Sequence, residues 1–160
     1  MENILIADLS NPAHADAVVY LLNEYARDEM GGGAELSGFV KQNLISELEK
    51  RQGIHSVIAF IGEKPAGLAI CMEGFSTFAC KPLLNVHDMV VAQEFRGRGI
   101  SRRLLAKAEE IAKKLGCCKL TLEVLEGNQV ARAAYRSFGF EGYELNPETG
   151  KALFWQKKIA

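Results

Sequence analysis

The chain has 160 residues, 48% of them apolar and 24% charged, with 19 Lys and Arg against 20 Asp and Glu. That composition excludes a disordered tail or a collagen-like rod, and the length suffices for one domain, residues 1–160, with a core that needs no disulfide or metal staples. A net charge of −1 predicts no bulk attraction to nucleic acid or to an anionic membrane, so any positive charge that matters is local.

In chain order, residues 4–9 read as a first strand. Asn11 is placed to cap a helix with Pro12 at its first position. Val18, Leu21, Leu22 and Tyr25 follow at helical spacing as far as the glycines of Met30–Gly33. Ser37 can cap a second helix reaching about Arg51. Residues 55–61 and 66–73 read as a hairpin around Gly62, 74–82 as a loop, and 83–91 as a strong strand. A Gly-rich turn opens a long helix from Ile100 to Leu115, whose apolar stripe includes Leu104, Ala108 and Ile111. A strand over 119–125, a short helix from Asn128 to Phe138 and a final hairpin of 140–145 with 151–159 complete the chain.

Strand, Gly-rich turn, helix and strand form a βαβ unit with a right-handed crossover. The expected architecture is therefore α/β: a mixed sheet of about six to seven strands with helices on both faces. No apolar run approaches the ~20 residues that span a bilayer. The N-terminus lacks the basic region of a secretory signal. Cys71, Cys80, Cys117 and Cys118 form no CxxC pair and have no His at ligand spacing. A reduced, cytoplasmic protein without a metal is expected, with neither nucleic acid nor membrane as partner.

The turn Arg96-Gly97-Arg98-Gly99-Ile100-Ser101 lies between a buried strand and a helix N-terminus. There the first-turn N–H groups lack intrahelical partners and the helix dipole attracts anions. Arg96, Arg98, Arg102 and Arg103 add four guanidinium groups, and no acidic residue lies between Arg96 and Leu105. The turn can be merely tight and its arginines solvated; position and charge favour a phosphate ligand. A nucleotide-triphosphate loop would need a Lys-Ser/Thr pair after the glycines. A dinucleotide fold would need a third glycine where Arg102 stands and more βα units than remain.

The segment from Leu83 to Phe140 resembles the GNAT acetyltransferase superfamily. Residues 96–101 match five of six positions of that family's [Q/R]xxGx[G/A] loop, with Ser101 as the departure. Asn128, Ala131, Tyr135 and Gly139-Phe140 match its downstream stretch. The resemblance implies a GNAT-like fold with a splayed parallel strand pair and acetyl-coenzyme A as co-substrate. It implies that Arg96, Gly97, Arg98, Gly99, Ile100 and Ser101 hold the pyrophosphate. Met89, Val90 and Val91 would lie along the pantetheine arm, with an oxyanion-binding N–H near Met89. Asn128, Ala131, Ala134 and Tyr135 would also touch the coenzyme.

Acetyl transfer to an amine needs a neutral nucleophile, donors for the oxyanion and a proton for the leaving thiolate. Tyr135 is the expected acid. His87 and Asp88, adjacent on the central strand and expected on opposite faces, are the candidate bases, directly or through water. Cys117 and Cys118 start their strand at the end away from the loop, so direct attack in a ternary complex is expected rather than an acetyl-cysteine. The resemblance implies that Tyr25, Asp28, Glu29, the loop 31–33, Glu35 and residues 75–78 shape the acceptor pocket. HDMVV and FSTF resemble the small-amine branch of the family. The acceptor is expected to be a primary amine of a small molecule, with a protein N-terminus or lysine as an alternative and a non-enzymatic coenzyme-binding module as another. A second copy of the chain is a candidate partner through Phe154 and Trp155.

Overall fold

The computed structural model describes residues 1–159; Ala160 lies outside the described residues. Five strands form one sheet in chain order: β1 (Glu2–Ile6), β2 (Ile54–Ile61), β3 (Lys64–Ser76), β4 (Lys81–Val91) and β5 (Leu120–Leu122). The first four pair antiparallel, and β4 with β5 pairs parallel. Helices α1 (Pro12–Arg27) and α2 (Gly38–Glu49) precede β2; α3 (Ile100–Lys114) crosses from β4 to β5; α4 (Gln129–Phe138) follows.

Local chemistry accounts for the boundaries. Asn11 accepts a hydrogen bond from the Ala13 N–H at 2.9 Å and Pro12 opens α1. Ser37 caps α2 through the Val40 N–H. Gly139, in the left-handed region at φ 108°, ends α4.

Helices cover both faces of the sheet. A Cβ on Gly67 would stand 2.9 Å from Ile100 and 3.0 Å from Leu104, so this face of β3 seats α3 in near contact. Strand alternation turns Leu68 and Ile70 to the opposite face. There they meet α1, whose Val18 and Leu21 are fully buried.

Four expectations change. The sheet has five strands among the described residues, not six to seven. Residues 140–159 form no strand ladder, only an isolated bridge between Glu144 and Lys151 that flanks a 3-10 turn, Pro147–Thr149. Leu153, Phe154 and Trp155 remain exposed, and a two-stranded ribbon with no face to bury is marginal. The strand expected over 119–125 keeps only three residues. The expected loop 74–82 is mostly ladder: Gly74 pairs with Leu83 and Ser76 with Lys81, leaving only Thr77–Cys80 to turn. None of the helices described is long and apolar enough to cross a membrane.

Candidate active site

The site begins where β4 leaves its neighbour. β4 pairs with β5 only from Leu84 to Val86. At that point the β3–β4 register also shifts: Cys71 faces Val86, Ile70 faces Asp88, and His87 is skipped. This β-bulge breaks the strict alternation expected of His87 and Asp88. Asp88 shares the α1 side of the sheet with its partner Ile70, while His87 is exposed at the bulge. Beyond the bulge the strands splay, as a three-residue parallel ladder requires.

The Ala92 N–H donates to the Ala66 carbonyl at 2.9 Å, so Ala92 faces β3. Antiparallel N–H groups alternate sides. Those of Asp88 and Val90 therefore turn to β3, and those of Met89 and Val91 turn to the open edge. Of the three strand residues expected at the coenzyme, Met89 and Val91 present backbone groups there. Val90 instead buries its side chain in the core.

The Gly-rich turn follows at once. Gly97 and Gly99 both adopt left-handed φ, 76° and 73°, which other residues rarely tolerate. Gly99 is the N-cap of α3 and offers no side chain, so the first N–H groups of the helix remain free for an anion. The space beside Gly97 is open within 4 Å. Ile100 is buried, so it meets a ligand only through its backbone.

The four arginines do not act alike. Arg96 donates through Nη2 to Asp28 at 2.8 Å and through Nε to the Val91 carbonyl at 3.2 Å. Arg103 is paired with Glu2 on β1 and donates to the Arg98 carbonyl at 3.0 Å. Arg98 lies over the Phe95 ring at 5.4 Å, and Arg102 over the Phe138 ring at 5.8 Å. Arg98 and Arg102 make no ion pair among the described residues, so the local positive charge rests mainly on them. The partners Asp28 and Glu2 lie far outside the sequence segment in which the arginines cluster.

Tyr135 on α4 meets Phe140 edge-on at 6.0 Å, and its hydroxyl has no hydrogen-bond partner among the described residues. Burial, then the nearby Tyr25, pushes its phenol above the ordinary value of 10.0. Burial also raises Tyr25, with Asp88 and Asp28 adding to it. These effects bring Tyr25, Asp88 and Tyr135 into one neighbourhood, from α1, β4 and α4. Burial raises the Asp88 carboxyl, and His87 partly opposes the shift. Asn128 accepts from the Ala131 N–H at 3.1 Å, which fixes it as the cap of α4. Ala131 and Ala134 are half-buried along α4.

A cleft of about 230 Å³ lies between the end of α1, the end of β4 and the turn, lined by Glu24, Asp28, Val90, Val91 and Arg96 among others. A larger one, about 370 Å³, lies around Cys117, Cys118 and Phe138 at the start of β5. That is the closed end of the β4–β5 pair, away from the splay. Burial pushes the Cys71 thiol up to about 12 and also raises Cys117, so neither is an activated nucleophile. No cluster of three metal-ligating side chains occurs among the described residues. Of the expected acceptor residues, Phe75 and Phe78 are exposed around the β3–β4 turn, and Glu35 is paired with Lys41.

Residues 18–140 match the acetyltransferase (GNAT) family. A thialysine N-epsilon-acetyltransferase of Caenorhabditis elegans is 30% identical over 135 residues, covering 84% of this chain and 81% of that protein. An uncharacterized N-acetyltransferase of Methanocaldococcus jannaschii is 33% identical over 99 residues, covering 61% of this chain and 44% of that protein. A probable acetyltransferase of known structure superposes with a TM-score of 0.78 at 22% identity, covering 98% of this chain and 99% of that one. AAC(6')-Iy, solved in complex with the bisubstrate analogue CoA-S-monomethyl-acetylneamine, gives 0.74 at 19% identity over 99% of both chains.

Proposed function

Because the chain belongs to the acetyltransferase (GNAT) family, we propose that it transfers the acetyl group of acetyl-CoA to a primary amine of a small molecule by direct attack in a ternary complex. The observation that carries this reading is the open edge of β4 running into a helix whose N-cap is a bare glycine. One edge offers N–H groups to an extended amide chain, and the turn beyond it offers N–H groups to a pyrophosphate. The small-molecule acceptor draws support from the thialysine N-epsilon-acetyltransferase at 30% identity.

Acetyl-CoA supplies the activated acetyl group and the phosphates. The backbone of residues 97–101, with Arg98 and Arg102, holds the phosphates. Ser101 stands where the family usually has Gly or Ala, at the second position of α3, where a small side chain leaves the backbone N–H accessible. The Met89 N–H stabilises negative charge on the acetyl oxygen as it develops. Tyr135, kept protonated by burial, gives its proton to the departing sulfur. The amine's proton goes to His87 or Asp88. Burial raises the Asp88 carboxyl above its ordinary range, which strengthens it as a proton acceptor.

The test is a mass-spectrometric screen of the protein with acetyl-CoA and separate pools of small amines, amino acids and peptides. Acetylation confined to the small-amine pools supports the reading; acetylation of peptides alone favours a protein acceptor. Modification of no pool at all contradicts both.

A second copy of the chain is proposed as partner. Phe154 and Trp155 are 74% and 80% exposed, and the last strand of the sheet, β5, has an unpaired outer edge among the described residues. A dimer in sedimentation that Trp155→Ser dissociates supports this; a wild-type monomer at micromolar concentration rejects it.

A further inference from the structure

Asp28 lies at the end of α1, sixty-eight positions before Arg96, and carries no signature of coenzyme binding in the sequence. Its contacts run in two directions. One carboxylate oxygen accepts from Arg96 Nη2 at 2.8 Å. The other accepts from the Met30 N–H at 3.0 Å, capping the short turn after α1. Its backbone carbonyl accepts from Gly31 at 2.8 Å and Gly33 at 3.0 Å. Gly31 closes this turn tightly, since a Cβ there would lie 1.8 Å from the Tyr25 carbonyl and 3.0 Å from its ring.

Arg96 is the first residue of the phosphate-binding turn. Its Nε donates to the Val91 carbonyl at 3.2 Å, so its guanidinium bridges the open edge of β4 and the end of α1. An arginine fork held at both ends fixes the backbone from which Gly97 and Gly99 follow. Charge-assisted pairs of this kind carry geometric specificity as well as attraction.

We infer that Asp28 is a positioning residue for the coenzyme: it holds Arg96, and through Arg96 the turn 96–101, in its anion-binding form, and ties that turn to the glycine loop after α1. The inference rests on the reading of residues 96–101 as the pyrophosphate cradle. A carboxylate beside an anion site would otherwise weaken binding by repulsion. With Arg96 interposed and the carboxylate held below its ordinary range, mainly by the hydrogen bond from Arg96, the pair presents no free negative charge.

The experiment is calorimetric titration of acetyl-CoA into wild type, Asp28→Asn, Asp28→Glu, Arg96→Gln and the Asp28→Asn/Arg96→Gln double variant, with Tm measured for each. Severalfold weaker binding is expected in Asp28→Asn and in Arg96→Gln. The double variant is expected to bind no more weakly than the worse single one, and Asp28→Glu to recover part of the loss. Additive losses, an Asp28→Asn affinity equal to wild type, or tighter binding in Asp28→Asn overturns the inference. Failure of the wild type itself to bind acetyl-CoA overturns the cradle reading instead. A loss in Asp28→Asn that tracks Tm and is not recovered by Asp28→Glu marks a general role in folding and also overturns it.

Discussion

Asp88 stands opposite Ile70 in the β3–β4 ladder, and His87, one residue earlier, stands opposite nothing. This one-residue slip puts a carboxylate on the α1 side, among groups that bury it, at the point where β4 parts from β5. Its pKa is raised chiefly by that burial.

A carboxyl whose folded pKa exceeds its unfolded value destabilises the fold once ionised, fully above the folded pKa. The penalty is relieved as pH falls through that pKa toward the ordinary 3.8. Asp88→Asn is therefore expected to raise Tm at neutral pH, with an advantage that shrinks toward pH 4, while turnover drops. Thermal melts of both proteins across pH 4–8 measure this. An Asn variant less stable at pH 7 contradicts the assignment of burial as the cause.

Tyr135→Phe removes a hydroxyl that no described group binds, so Tm is expected to change little. Loss of the acid is expected to lower kcat by about 10²-fold. Because the phenol lies above 10.0, no alkaline fall in wild-type kcat below pH 10 comes from this group. Turnover within twofold of wild type rejects Tyr135 as the acid.

Arg98→Gln and Arg102→Gln are expected to raise KM for acetyl-CoA severalfold and to flatten its dependence on salt, since screening acts on charges that face the ligand. Arg103, already paired with Glu2, is expected to affect KM less. Steady-state titrations at two ionic strengths separate the three. An Arg103 effect larger than the other two contradicts the division drawn from their contacts.

Gly67→Ala places a methyl 2.9 Å from Ile100, 3.0 Å from Leu104 and 3.2 Å from the Val90 carbonyl. Overpacking of this kind costs about 1–3 kcal/mol. Urea denaturation gives the figure directly. A neutral result contradicts the close seating of α3 on β3.

Much of this was legible before the fold. Pro12, Ser37 and the stripe on α3 announced three helices, because caps and 3.6-residue periodicity are local. The tight turn into α3 was legible because two glycines and a helix start are contiguous. The bulge at His87 was not, since a register slip is a relation between strands and leaves no mark on either alone. The partners of Arg96 and Arg103 were hidden for the same reason: Asp28 and Glu2 come from distant elements. The last hairpin misled because residues such as Leu153, Phe154 and Trp155 favour strands but find no surface to cover within the described chain.

The central claim, direct transfer from acetyl-CoA to an amine, is tested most directly by initial velocities of thiol release with both substrates varied. Intersecting lines in double-reciprocal plots, with release that requires the amine, are the expected result. Parallel lines, the mark of an acetylated enzyme intermediate, or release indifferent to the amine, would contradict it.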